Sequence, residues 1–275
     1  MTALQSRIVL ITGAGAGIGR LLAAEAAFRG ATPVLWDLDE GKLAAALGEV
    51  QGVAGGLARG YVCDVSDREG VYRTAERVRA DVGDPEVVVN NAGVVSGACL
   101  LDTPDERIRR TFEVNVLALY WVTKAFLPAM LRRNQGHLVT VASAAGLVGV
   151  ARQTDYSASK HAAVGFNESL RAELREIAPG VKTTVVCPYY IDTGMFEGVR
   201  TRVPWLLPIL RQRDVACKVA DAIEHDRRLL VLPPAVRLLA VLRILPPRTF
   251  DWFMDLLGVN ASMDHFEGHG SAPAP

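Results

Sequence analysis

Short apolar runs alternate with longer stretches of helical periodicity along most of the chain. The runs lie near 7–12, 33–37, 60–63, 86–90, 137–142, 182–187 and 229–232, and each reads as a strand. Ile8-Val9-Leu10-Ile11 and Val87-Val88-Val89 have no polar residue at alternate positions, as expected of strands covered by helices on both faces. Such strands, separated by helices, pair in parallel. The pattern therefore predicts a seven-stranded parallel sheet of the doubly wound α/β class.

Two segments break the alternation. Residues 192–213 mix Met195, Phe196, Trp205, Leu206 and Leu207 with Pro204 and Pro208, which reads as a lid over a site rather than a regular element. Residues 233–257 are rich in Leu and Val and are divided by Pro246-Pro247. Arg237, Arg243 and Arg248 argue against a membrane-spanning helix there. The segment suits a substrate cover, a dimer contact or a peripheral membrane contact. Residues 268–275 are small and polar and are expected to be disordered. With no linker-like stretch before them, residues 1–265 are expected to form a single domain.

Composition narrows the partners. Half of the 275 residues are hydrophobic, and 30 Lys and Arg balance 30 Asp and Glu. No net field attracts nucleic acid, so small molecules and further copies of the chain are the expected partners. Cys63, Cys99, Cys187 and Cys217 form no C-x-x-C pair and have no histidine at ligand spacing, so buried reduced thiols and no metal are expected. No apolar run or cleavage signal precedes the first strand, and a cytoplasmic protein without an N-terminal anchor is the expectation.

After the first strand comes Thr12-Gly13-Ala14-Gly15-Ala16-Gly17-Ile18-Gly19. Glycines at a strand-to-helix turn let the backbone approach a pyrophosphate, whose charge is stabilised by free N–H groups and the positive helix end. The spacing is T-G-x-x-x-G-x-G rather than G-x-G-x-x-G. Asp37, 18 residues beyond Gly19 at the end of the second strand, can accept from the adenosine ribose hydroxyls. No Arg or Lys at 36 or 38 would offset its repulsion of a 2′-phosphate, so NAD is expected in preference to NADP. Asp64-Val65 after the third strand suits the adenine amino group, and Asn91-Ala92-Gly93 after the fourth leaves room for a ribose.

Tyr156 and Lys160 are four apart in Tyr156-Ser157-Ala158-Ser159-Lys160, hence one turn apart on one helix face. Such a cation favours tyrosinate, which a free phenol with a pKa near ~10 does not reach at neutral pH. Ser143, 13 residues before Tyr156 at a strand end, has a hydroxyl able to polarise a carbonyl oxygen. Y-x-x-x-K alone is common on exposed helices; the set in this order is far more specific.

These motifs, with Asn115 in Phe112-Glu113-Val114-Asn115-Val116, resemble the short-chain dehydrogenase/reductase family over roughly residues 5–230. The resemblance implies a Rossmann-type fold and hydride transfer between NAD and an alcohol or ketone. It implies Tyr156 as general acid/base, Ser143 as the oxygen stabiliser, Lys160 as its partner and ribose contact, and Asn115 as the support of a proton relay. Ile191 and Thr193 resemble the family's nicotinamide contacts. It also implies a homodimer or homotetramer.

The family commonly has Pro-Gly after the sixth strand, whereas this chain has Pro188-Tyr189-Tyr190. That departure, with Lys124 to Met130, Leu207 to Leu210 and Met263-Asp264, resembles the branch of epidermal retinal, retinol and lipophilic hydroxysteroid dehydrogenases. The substrate is therefore expected to be a bulky lipophilic alcohol or ketone, in a pocket drawn from Val95, Ala145, Val150, Tyr189, Tyr190, Met195 and Phe196. An NAD-retaining epimerase or dehydratase, and a silent cofactor-binding regulator, are the alternatives. The apolar lid disfavours the first and the intact Asn115, Ser143, Tyr156 and Lys160 set disfavours the second.

Overall fold

A computed structural model describes residues 1–267; the segment 268–275, expected to be disordered, lies outside them. Seven strands form one parallel sheet: β1 (Ile8–Thr12), β2 (Thr32–Asp37), β3 (Arg59–Val62), β4 (Val87–Asn90), β5 (Gly136–Val141), β6 (Val181–Pro188) and β7 (Leu229–Leu232). Their order is β3-β2-β1-β4-β5-β6-β7, so the chain reverses direction across the sheet between β1 and β4. Such a switch point opens a crevice at the carboxyl ends of the strands, where ligands bind in folds of this kind.

The uninterrupted apolar runs serve two faces at once. Val9 and Ile11 of β1, Leu35 of β2 and Val87 and Val89 of β4 pack beneath α1 (Gly17–Phe28), α2 (Glu40–Ala54) and α7 (Gln212–Glu224). Leu10, Val34, Trp36 and Val88, the residues between them, pack on the other face. There they meet α3 (Arg68–Asp81), α5 (Ala118–Arg133) and the far half of α6 (Thr154–Ile177). With period two, β1, β2 and β4 each feed both cores.

Ahead of α5 lie α4 (Asp105–Phe112) and a π-helical turn, Glu113–Leu117. Together these make a helical run, 105–133, long and apolar enough to cross a membrane by composition; half of its apolar window is buried inside the protein, as in a core helix. Residues 192–211 contain no helix and are tied down by a bridge between Ile191 and Leu210.

The C-terminal segment folds as α8 (Val236–Leu242) and α9 (Pro247–Leu256), divided at Pro246-Pro247. Val236, Leu239 and Met254 point into a third core with Tyr189, Tyr190 and Leu207. The cysteines are free, but only Cys63 and Cys187 are buried. Cys99 is exposed because it begins a short loop ahead of α4 rather than a strand or helix face, which corrects the expectation for that residue.

Candidate active site

Thr12 and Asn91 fasten the glycine turn to the end of β4. The Thr12 hydroxyl accepts from the N–H groups of Asn91 (3.0 Å) and Ala92 (3.1 Å), and the Asn91 amide donates to the carbonyls of Thr12 (2.8 Å) and Gly13 (3.1 Å). Gly13 has φ +63°, the left-handed region that favours glycine. A Cβ on Gly19 would sit 2.2 Å from the Gly13 carbonyl oxygen, so the helix can start this close to the strand only without a side chain. Gly15 donates its N–H to the Asp37 carboxylate at 2.7 Å. The acid thus holds the turn while facing the cleft.

The cleft has a volume of about 470 Å³. At one end it is lined by Asp37, Asp64 and Val65; Gly13, Gly17, Ile18, Ala92 and Gly93 follow along the middle. At the other end stand Ser143, Tyr156, Lys160, Ile191 and Thr193. Gly15 and Gly19 shape the turn from behind without lining the cleft.

Asp64 is not free for a ligand alone. Its carboxylate takes hydrogen bonds from the Ser66 N–H at 2.9 Å and the Arg110 guanidinium at 3.1 and 3.2 Å, and Arg110 also bonds the Ser66 hydroxyl. Burial works to raise this carboxyl, but the donors from Ser66 and Arg110 outweigh it and hold it below the usual range. Arg110, unmarked by any sequence motif, lines the cleft beside Asp64.

Ser143 caps a short 3₁₀ turn at the end of β5, its Oγ accepting from the Ala145 N–H at 3.1 Å. Tyr156 and Lys160 occupy the first turns of α6, both buried, with Lys160 Nζ 5.6 Å from the Tyr156 ring centre and donating to the Val141 carbonyl at 3.0 Å. Burial pushes the Tyr156 phenol well above its ordinary value, opposed by a hydrogen bond with Ser143. Burial likewise pulls Lys160 down to about 8. In so dry a pocket, desolvation penalises both charged forms.

Asn115 lies in the π turn, completely buried. Its Oδ1 accepts from the Val94 N–H and its Nδ2 donates to the Val94 carbonyl, both at 2.9 Å, and to Ser159 Oγ at 3.0 Å. A π turn in a helix commonly marks a functional position. A Cβ on Gly93 would come within 3.3 Å of Asn115 Oδ1 and 3.4 Å of Lys160 Nζ, so this glycine brings the two side chains to the cleft wall.

The expected substrate residues fall in three places. Ala145, Val150 and Tyr190 line a small apolar slot of about 20 Å³ that starts at Ser143 and ends against Leu239 and Val259. Tyr189 and Phe196 line both slot and cleft, and Met195 lines the cleft. Val95 lines neither; Val94, bracketed by Asn115, reaches the cleft instead. Phe196 packs edge-on against Tyr156 and Tyr190, with centroids 5.9 and 5.1 Å apart.

The chain beyond α9 also returns over this wall, past the 233–257 segment, one of whose expected roles is a substrate cover. Ser262 Oγ lies 2.8 Å from the Tyr190 hydroxyl, to which Gln153 also donates, and Phe266 packs against both Phe196 and Gly97.

The donor set fits a dinucleotide in three respects. A carboxylate stands at one end, a side-chain-free turn at a helix N-terminus occupies the middle, and an apolar reactive end carries a hydroxyl pair and an amine. The family model for "short chain dehydrogenase" matches residues 7–204. The chain is 47% identical to mouse epidermal retinol dehydrogenase 2 over 267 residues, covering 95% of this chain and 85% of that one. It is 43% identical to human retinol dehydrogenase 10 over 288 aligned positions, covering 94% and 84%. Among solved structures, a short-chain dehydrogenase/reductase from Burkholderia phymatum in complex with NAD superposes with a TM-score of 0.81 at 31% identity, covering 89% of this chain and 95% of that one. The chain belongs to the short-chain dehydrogenase family of oxidoreductases.

Proposed function

We propose that this protein transfers a hydride between NAD and a bulky lipophilic alcohol or ketone, with Tyr156 as general acid/base. The observation that carries the reading is the convergence of Ser143, Tyr156 and Lys160 at one end of a continuous cleft whose other end presents Asp37. Asp37, Asp64, Val65 and the Gly13–Gly19 turn would hold the adenosine and phosphates. Gly93, Ile191, Thr193 and Lys160 would hold the nicotinamide riboside.

When bound, the cofactor supplies the hydride acceptor and a positive charge at the reactive end. In the oxidation direction Tyr156 takes the hydroxyl proton of the substrate. Ser143 donates a hydrogen bond to the same oxygen, and Lys160 stabilises the phenolate by its charge. Asn115 keeps the Gly93-Val94 wall in place and would support the path by which the proton leaves. Reduction reverses each transfer.

The apolar end favours a lipophilic substrate. Tyr190's hydroxyl is taken up by Ser262 and Gln153, so the slot beyond Ser143 presents mainly ring and aliphatic surface. The retinol dehydrogenase names of the similar proteins agree with that class. A screen of apolar secondary alcohols, retinoids and steroids with NAD, followed as NADH formation, tests the reading; turnover confined to small polar alcohols would overturn it.

The same C-terminal helices support a peripheral membrane contact. Their inner residues cover the slot, while Leu238, Val241, Ile244 and Trp252 are exposed beside Arg237 and Arg248. Co-sedimentation with vesicles containing anionic lipid, lost on Ile244→Glu with Trp252→Glu, is the expected result.

A further inference from the structure

Asp155, the residue before Tyr156, is only 5% exposed. A carboxylate is costly to bury unless its oxygens are hydrogen-bonded, and here each oxygen has a donor from a different segment. Ser96 Oγ donates to Oδ1 at 2.6 Å, and Thr111 Oγ1 donates to Oδ2 at 2.8 Å. Ser96 belongs to the loop after β4, and Thr111 to the last turn of α4.

One helical turn further along α6, Ser159 accepts from Asn115. Thr111 and Asn115 are four apart, as are Asp155 and Ser159, so two successive rungs join the α4 and π-turn run to α6. The β4 loop enters both: Ser96 bonds Asp155, and Val94 bonds Asn115. Each rung residue on α6 immediately precedes a reactive one, Asp155 before Tyr156 and Ser159 before Lys160. The lower rung is built on the π turn; the upper one is built on Asp155.

We infer that Asp155 is a positioning residue, which by accepting from Ser96 and Thr111 registers the β4 loop and the Asn115 turn against Tyr156 and Lys160. The inference rests on the reading of Tyr156 as the acid/base. It assigns Asp155 no contact with substrate or cofactor, and Asp155 does not line the cleft. Its loss therefore affects the alignment of the reacting end and spares the adenosine end, which is built at the ends of β1, β2 and β3.

The test compares Asp155→Ala, Asp155→Asn, Ser96→Ala and Thr111→Val in the full chain, with NAD and the best alcohol found in the screen. Asp155→Ala is expected to lower kcat about ten-fold or more while the KM and Kd for NAD stay within about two-fold. Asp155→Asn is expected to recover most of that loss, since its amide still offers each hydroxyl a partner. Ser96→Ala should lower kcat about three-fold in the wild-type background and leave it unchanged in Asp155→Ala, because contacts in one network are not additive. Unchanged kcat in Asp155→Ala overturns the inference, as does an Asn variant as poor as the Ala variant, or additive losses. Should Asp155→Ala fail to fold, Ser96→Ala and Thr111→Val carry the test, and wild-type kcat in both overturns it. Tyr156→Phe, run alongside, separates the two readings: if it remains active, the acid/base assignment fails; if it is inactive while Asp155→Ala is normal, only the positioning role fails.

Discussion

The amide of Asn115 brackets the backbone of Val94, accepting from its N–H and donating to its carbonyl at 2.9 Å each. One buried side chain thereby satisfies both polar groups of a loop residue that lines the cleft. Asn115→Ala leaves the Val94 N–H and carbonyl without these partners in a dry wall. A loss of about 2 to 3 kcal/mol in urea unfolding is expected, together with at least a ten-fold fall in kcat. Asn115→Asp keeps the acceptor and loses the donor, and should fall between the two.

Gly19→Ala places a methyl where only 2.2 Å separates it from the Gly13 carbonyl oxygen and 2.6 Å from the Asn91 amide. Both are parts of the locked turn, so neither can move aside cheaply. The variant should lose about 2 to 4 kcal/mol of stability and bind NAD far more weakly. Isothermal titration with NAD checks it; unaltered affinity would show that the turn has more freedom than its contacts suggest.

Asp37 has two tasks, holding the Gly15 N–H and presenting a carboxylate to the cleft. Asp37→Ala removes the repulsion of a 2′-phosphate and loosens the turn at once. The ratio of kcat/KM for NADP over NAD should rise at least ten-fold while the NAD value itself falls. Lys42, which also lines that end, is paired with Asp39 at 3.2 Å rather than with Asp37, so the shift comes from the lost repulsion.

Lys160, buried and depressed to about 8, makes folding pH-dependent. Below pH 8 the folded state carries the desolvation cost of the cation. Between that value and the ordinary lysine range near ~10.4 the unfolded chain binds more protons, so wild-type stability rises with pH. Lys160→Met lacks this term. The variant should be inactive, yet more stable than wild type at pH 7, and its advantage should shrink by about 2 to 3 kcal/mol as pH rises from 8 to above 10. Chemical unfolding of both proteins across that range measures the difference.

The sheet was legible because its strands are buried on both faces, and runs such as Val87-Val88-Val89 have no other use in a chain of this composition. The glycine turn, Asp37, Ser143 and the Tyr156–Lys160 pair were legible because their chemistry lies in local spacing. Asp155 and Arg110 were not: a helix-start acid reads as a cap and a surface arginine as a solvated charge until the partner segments, Ser96 with Thr111 and Asp64 with Ser66, are brought to them. The roof made by Ser262 and Phe266 depends on contacts with Tyr190 and Gly97 that are distant in sequence. No local period records such pairings.

Tyr156, as the group that moves the substrate proton, is the centre of the proposed mechanism. The direct measurement is single-turnover oxidation of an apolar secondary alcohol by Tyr156→Phe, alongside NAD binding by the same variant. The predicted result is a fall of about a thousand-fold or more in the rate of NADH formation, with the Kd for NAD within about three-fold of wild type. A rate within ten-fold of wild type, at full NAD binding, would contradict it.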